Sequence, residues 1–129
     1  ERPLTDNRLM ARKRRSGNTF QDLFTDYSLT KSELSDLMGV ARDSVVRWSK
    51  LAFYFIPSFR ESYPRLSDGS FDNEAPLNPY QAWVLSRIRR DFAKLRLADR
   101  VKQSIKRYPN NFSVYTYRQA QKEISKLAA

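Results

Sequence analysis

Apolar residues recur at helical spacing along most of this chain, and the interruptions divide it into segments. Phe20, Leu23, Phe24 and Tyr27 stand at i, i+3, i+4 and i+7, which predicts an amphipathic helix capped by Asn18 or Thr19. Thr30 and Glu33 form the T-x-x-E signature of a capping box, and Leu34, Leu37 and Met38 give the helix behind it an inward face. Gly39 stops that helix, because glycine takes the left-handed backbone of a sharp turn without a Cβ clash. After Val40 the spacing resumes through Val45, Trp48 and Leu51 or Ala52, until Pro57 ends it.

Residues 57–79 lose this periodicity and hold four of the six prolines. Asp68-Gly69, between Tyr63 and Phe71, suits a hairpin turn, so the segment reads as a short two-stranded wing or a plain loop. Asn78-Pro79 then caps the strongest helix, with Tyr80, Trp83, Val84, Ile88, Phe92 and Leu95 as its stripe. A shorter helix follows through Val101, Ile105 and Tyr108, closed by Pro109-Asn110-Asn111. In the last segment Tyr117, Ala120, Ile124 and Leu127 share a helical face, although "FSVY" alternates as a strand would. The expected fold is therefore mainly α: a multi-helix domain over 19–129, with a wing or loop at 57–78 and C-terminal helices over 79–127.

Composition narrows the chemistry. With 129 residues, 40% hydrophobic and 13% aromatic, the chain suffices for one domain with a modest core. It has no cysteine and no histidine. Disulfides, thiolate or imidazole metal sites, and Ser-His or Cys-His catalysis all lose their groups. Asp68, Asp72 and Glu74 do not have the spacing of a calcium loop. The seven tyrosines lack the histidine-supported arginine cluster of a tyrosine recombinase. The expectation is no catalytic residue, no cofactor and no metal. The longest apolar run, "LAFYFI" at 51–56, is far short of a membrane span, and the first residues lack a signal peptide's apolar stretch. A cytoplasmic, nucleoid-associated location follows as an expectation. Opening on Glu1 rather than methionine is compatible with a piece of a longer protein.

The net charge of +10 is unevenly spread: residues 1–18 carry +4, 19–77 carry −3 and 78–129 carry +9. Such an excess attracts a polyanion. Arginine dominates from Arg87 to Arg107, and its planar fork suits phosphate and guanine edges. Arg12, Lys13, Arg14 and Arg15 form a basic N-terminal arm over 1–18, either a solvated leader or a minor-groove contact.

The stretch "LTKSELSDLMGVARDSVVRWSK" at 29–50 brings these threads together. Leu34, Met38, Val40, Val45 and Trp48 occupy the positions that would lock two helices across a tight turn, and Ser35 is small where they would cross. Arg42, Asp43, Ser44, Val46, Arg47 and Lys50 are left to face outward. The pattern Leu29-Thr30, Glu33-Leu34, Gly39-Val40, Val45, Arg47-Trp48 resembles the helix-turn-helix DNA-binding regulators, of Cro/repressor-like or MerR-like type. It departs at Ser35, where alanine is usual, and at Ala41, where a capping serine or threonine is usual.

The resemblance implies a helix-turn-helix at 30–52 whose recognition helix, about 41–51, enters the major groove of double-stranded DNA. Arg42, Ser44, Val46, Arg47 and Lys50 would then read bases, although Arg47 is equally suited to clamping a phosphate. The arm, Arg87, Arg89, Arg90 and Lys94 would hold the backbone. Asp22, Asp26, Glu33 and Asp36 would lie away from DNA. Trp48 and Trp83 fall on apolar stripes and so belong to the core rather than to base stacking. The leading expectation is a transcriptional regulator or its DNA-binding domain, acting alone, as a homodimer or with another regulatory protein. Two alternatives stay open: the DNA-binding module of a transposase, recombinase or plasmid protein, and an RNA-binding or protein-interaction helical domain.

Overall fold

A computed structural model describes residues 22–128, so the basic arm at 12–15 and the start of the helix expected from Phe20 lie outside the described residues. The described chain is mainly helical. In order come α1 (Lys31–Met38), α2 (Arg42–Phe55), α3 (Pro57–Ser62), α4 (Pro79–Leu95), α5 (Ala98–Arg107), a 3-10 turn (Pro109–Phe112) and α6 (Val114–Ala128). Among the described residues no helix is long and apolar enough to cross a membrane.

Helix α4 is the axis of the packing, touching α2, α3, α5 and α6. Its start is set by Asn78 and Gln81, which cap one another: Asn78 Oδ1 accepts from the Gln81 N–H at 2.8 Å, and Gln81 Oε1 accepts from the Asn78 N–H at 2.9 Å. Pro79 opens the first turn, where its missing N–H costs nothing. Every residue from Tyr80 to Ser86 is buried, so this half of the helix is surrounded on all sides. Trp83 at its centre is wholly inaccessible. The two polar residues in that run are satisfied: Gln81 Nε2 donates to Ser62 Oγ at 2.8 Å and Ser86 Oγ donates to Trp83 O at 2.7 Å.

Three expectations change. Residues 22–27 are not helical. Asp22 instead accepts from Trp83 Nε1 at 3.2 Å and pairs with Arg87 and Arg90 at 3.0 and 3.3 Å. The Leu23 N–H donates to Ser86 Oγ at 3.1 Å, and the Phe24 ring stacks on Tyr117. Leu29 then exchanges both backbone hydrogen bonds with Leu77, at 2.8 and 2.7 Å. Tyr27, the fourth member of the predicted stripe, is 61% exposed.

Pro57 does not merely end α2; it occupies the first turn of α3, a helix that the sequence pattern does not announce. Within the 63–77 segment one isolated bridge, Arg65 to Phe71, stands in place of two strands, and Leu77 at its end pairs with Leu29. Its turn is as expected, with Gly69 at φ 85° and Asp68 Oδ1 accepting from Ser70 N–H and Oγ at 2.9 and 2.6 Å. Rings hold the segment together more than backbone pairing does. Tyr63 stacks on Phe59 and on Phe71, and Phe53 meets Tyr63 and Phe71 edge-on.

Candidate nucleic-acid interface

The geometry between α1 and α2 is fixed by local chemistry. Thr30 Oγ1 accepts from the Glu33 N–H at 3.0 Å while Glu33 Oε1 accepts from the Thr30 N–H at 2.8 Å, closing both sides of the capping box. At the other end Gly39 sits at φ 70°, ψ 34°. Its N–H reaches Asp36 O at 3.3 Å and the Val40 N–H reaches Ser35 O at 3.0 Å, the two bonds of a left-handed helix stop. Leu34 and Val45 are wholly buried, Trp48 nearly so, and Met38 and Val40 pack against the same cluster. Ser35 is buried as well, its hydroxyl donating back to Ser32 O at 2.7 Å. Ala41 caps α2 with no side-chain hydrogen bond.

Burial divides α2 into faces. Val45, Trp48, Ser49, Ala52 and Phe53 point inward. Asp43, Arg47, Lys50 and Tyr54 are exposed and follow at i, i+4, i+7 and i+11, one straight row along the outer side. Of the five predicted base readers, Arg47 and Lys50 thus stand on the outermost row. Arg42 and Ser44 flank it half-exposed, and Val46 turns partly into the core. Arg47 Nη2 lies 3.3 Å from Ser44 Oγ, and Arg42 Nη2 lies 3.0 Å from Glu74 Oε1. Tyr54 continues the outward row, a residue to which the sequence pattern assigns no role; its i+11 spacing from Asp43 is the signal that could have found it.

Two elements border this row. On one edge lies the 63–77 segment, with Lys50 Nζ 5.9 Å from the Phe71 ring centroid and the Arg65 guanidinium 5.7 Å from that of Phe53. On the other lies α5, where Lys106 Nζ sits 5.2 Å over the Phe55 ring. Lys102 stands one turn before Lys106 on the same side of α5.

The arginines of α4 are placed differently from the expectation. Phe92 stacks on Trp48 at 5.7 Å and so marks the side of α4 that faces α2. At ~100° per residue, Arg87, Arg90 and Lys94 lie roughly 140–160° around the helix from Phe92. Arg87 and Arg90 are held there by Asp22, and Arg87 also covers the Trp83 ring at 4.5 Å and donates to Asn111 O at 2.9 Å. The three therefore do not border the α2 row. Arg89 is half-buried, and desolvation lowers its pKa. The arm residues Arg12, Lys13, Arg14 and Arg15 fall outside the described residues.

Asp68, Asp72 and Glu74 serve the turn and Arg42, and among the described residues no group of three or more carboxylates is arranged to hold a metal ion. The least expected group is Lys31, 2% exposed, which donates to Tyr63 Oη and Ala75 O, both at 2.6 Å. Burial lowers its pKa to about 8, against a partial upward pull from Asp72. No sequence pattern marks it, because its partners lie 32 and 44 residues away. Comparison with family models, with curated proteins and with solved structures finds no match to this chain.

Proposed function

We propose that this chain binds double-stranded DNA sequence-specifically, as a transcriptional regulator or the DNA-binding part of one. In this reading α1, the Gly39 turn and α2 form a helix-turn-helix, and α2 lies in the major groove. The observation that carries it is the outward row of α2, Asp43, Arg47, Lys50 and Tyr54, on a helix whose opposite face is locked into the core. Arg47, Lys50 and Tyr54 supply cationic and hydrogen-bonding groups of the kind base edges and phosphates require, and Asp43 is the one acid of the row. Arg47 and Lys50 contact bases, with Arg42 and Ser44 beside them near the N-terminal end of the helix. The wing of the resembled regulators is here the aromatic-stapled 63–77 segment. Lys106 of α5, which covers Phe55 of α2, and Lys102, one turn before it, take the phosphate role rather than Arg87, Arg90 and Lys94.

The test is selection of bound duplexes from a random pool, followed by titration with the selected sequence. A defined motif is expected, with affinity falling steeply as salt rises. Arg47→Ala should relax preference at one base position, because an arginine–guanine contact is worth ~1–3 kcal/mol of discrimination. Equal loss on every sequence would make Arg47 a phosphate clamp instead. Duplex RNA competing as well as duplex DNA would overturn the reading in favour of an RNA-binding domain. A palindromic motif would point to a dimer.

A further inference from the structure

Besides Asp43 on the row itself, a second acidic side chain, Glu74, stands beside the proposed DNA-reading surface, on backbone that is held from inside the protein. Glu74 Oε1 accepts from Arg42 Nη2 at 3.0 Å, while 79% of the Glu74 side chain remains exposed. The backbone on both sides of Glu74 is fastened to the core. Ala75 O accepts from the buried Lys31 ammonium at 2.6 Å. Asp72 O accepts from the Tyr63 hydroxyl at 2.6 Å, and that hydroxyl in turn accepts from Lys31. Asp72 Oδ1 accepts from the Glu74 N–H at 2.9 Å. The Lys31 ammonium also lies 5.0 and 5.6 Å from the Tyr63 and Phe71 ring centroids. A buried polar network with its members partnered is rigid. The backbone at Glu74 is therefore fixed through Lys31, and Arg42 is the side chain that its carboxylate meets.

A carboxylate at this place has a defined consequence. It repels phosphate, so on its own it weakens contact with every sequence alike. In the major groove it finds complementary donors only in base amino groups, cytosine N4 and adenine N6, since an ionised carboxylate accepts and cannot donate.

We propose that Glu74 is a sequence-selecting residue of the α2 surface: its carboxylate accepts from a base amino group, cytosine N4 or adenine N6, beside the base contact of Arg42, and it disfavours binding through phosphate alone. This rests on the duplex-binding reading above. The Arg42–Glu74 pair then presents a donor and an acceptor side by side, a combination that no uniform run of phosphates can satisfy.

The experiment compares the full chain, Glu74→Gln and Glu123→Gln in the duplex selection and in titrations against unselected duplex. Glu123 is an exposed residue of α6, so its change removes the same charge elsewhere. Circular dichroism melts confirm that each variant is folded. With Glu74→Gln, affinity for unselected duplex should rise, and one motif position should lose roughly five- to a hundredfold discrimination. Glu123→Gln should leave both readouts within about twofold of the parent chain, because salt screens a distant exposed charge. Identical behaviour of the two variants overturns the proposal while leaving the duplex-binding reading intact. Failure of the parent chain to bind or select any duplex sinks both, and is seen before any variant is made.

Discussion

Ala41 occupies a backbone position that asks for a capping side chain. Its φ and ψ, −70° and 149°, are those of a helix N-cap, yet its own side chain makes no hydrogen bond to the first N–H groups of α2. Ser44, the nearest hydroxyl, is engaged with Arg47. Ala41→Ser is expected to stabilise the protein by ~1 kcal/mol, read as a higher urea midpoint at unchanged slope. Gly39 is the converse case. A Cβ there meets nothing within 4 Å, so only the φ of 70° resists substitution. Gly39→Ala should cost ~1–2 kcal/mol, the strain of a left-handed residue with a side chain; a neutral result in the same titration would mean that the turn relaxes. Both features were legible in the sequence because capping chemistry acts over three or four residues.

Lys31 was not legible, and it has a distinctive signature. Its pKa is lowered from 10.5 in the unfolded chain to about 8 in the folded one, so below about 8 both states hold the proton and the burial penalty is fully present. Between about 8 and 10.5 the unfolded state binds more protons, and stability must rise with pH. Burial moves Tyr63 upward, so above pH 10 its ionisation favours the unfolded chain and opposes the rise. Melting temperatures from pH 7.5 to 10 should therefore climb in the parent chain relative to Lys31→Met, once shared trends are subtracted. Parallel curves would show that Lys31 does not titrate in this window.

At the level of elements, what was readable and what was not follows from contact range. The capping boxes at Thr30 and Asn78 and the stop at Gly39 involve neighbours, and α1, α2 and α4 begin or end where those residues indicate. Residues 22–27 carry a fair helical period too, but a short isolated helix is marginal. Five hydrogen bonds tie Asp22 and Leu23 to α4, each spanning more than sixty residues, and hold an irregular path instead. The 63–77 segment fails as a wing of strands for a related reason: two strands alone are seldom stable, and aromatic stacking on α2 and α3 does the fastening.

Asp22 makes the point testable. Its side chain is 17% exposed, as is that of Arg87. Asp22→Ala leaves Trp83 Nε1 without its acceptor and removes the ion-pair partner of Arg87 and Arg90. A loss of about 1–3 kcal/mol is expected, by urea titration. Duplex affinity at a temperature where the variant is folded should be unchanged, since this anchor lies on the far side of α4 from α2. A loss of affinity without loss of stability would place Asp22 and its arginines in the interface after all.

Across the whole molecule, charge counted along the sequence and charge placed in space give different answers. The C-terminal +9 promised a basic flank for α2, and the sequence could not say which of its cations would form one. Helical rotation turns Arg87, Arg90 and Lys94 away, whereas a short connection at Leu97 brings α5 back along α2, where Lys106 covers Phe55. The outward row of α2 was likewise only partly legible: Arg47 and Lys50 follow from the period, but the half-burial of Val46 depends on what packs against it.

This arrangement fixes a comparison at constant charge. The double substitution Lys102→Ala, Lys106→Ala should weaken duplex binding on all sequences about equally and flatten the dependence of log affinity on log salt by ~0.9 for each phosphate no longer neutralised. Lys94→Ala combined with Lys122→Ala removes the same two charges from helix faces that do not border α2, and should leave the slope nearly unchanged. If both pairs flatten it equally, the protein attracts DNA by net charge alone and α5 is no flank. If only the second pair does, the duplex lies across the opposite face of α4, and the outward row of α2 loses its assigned role.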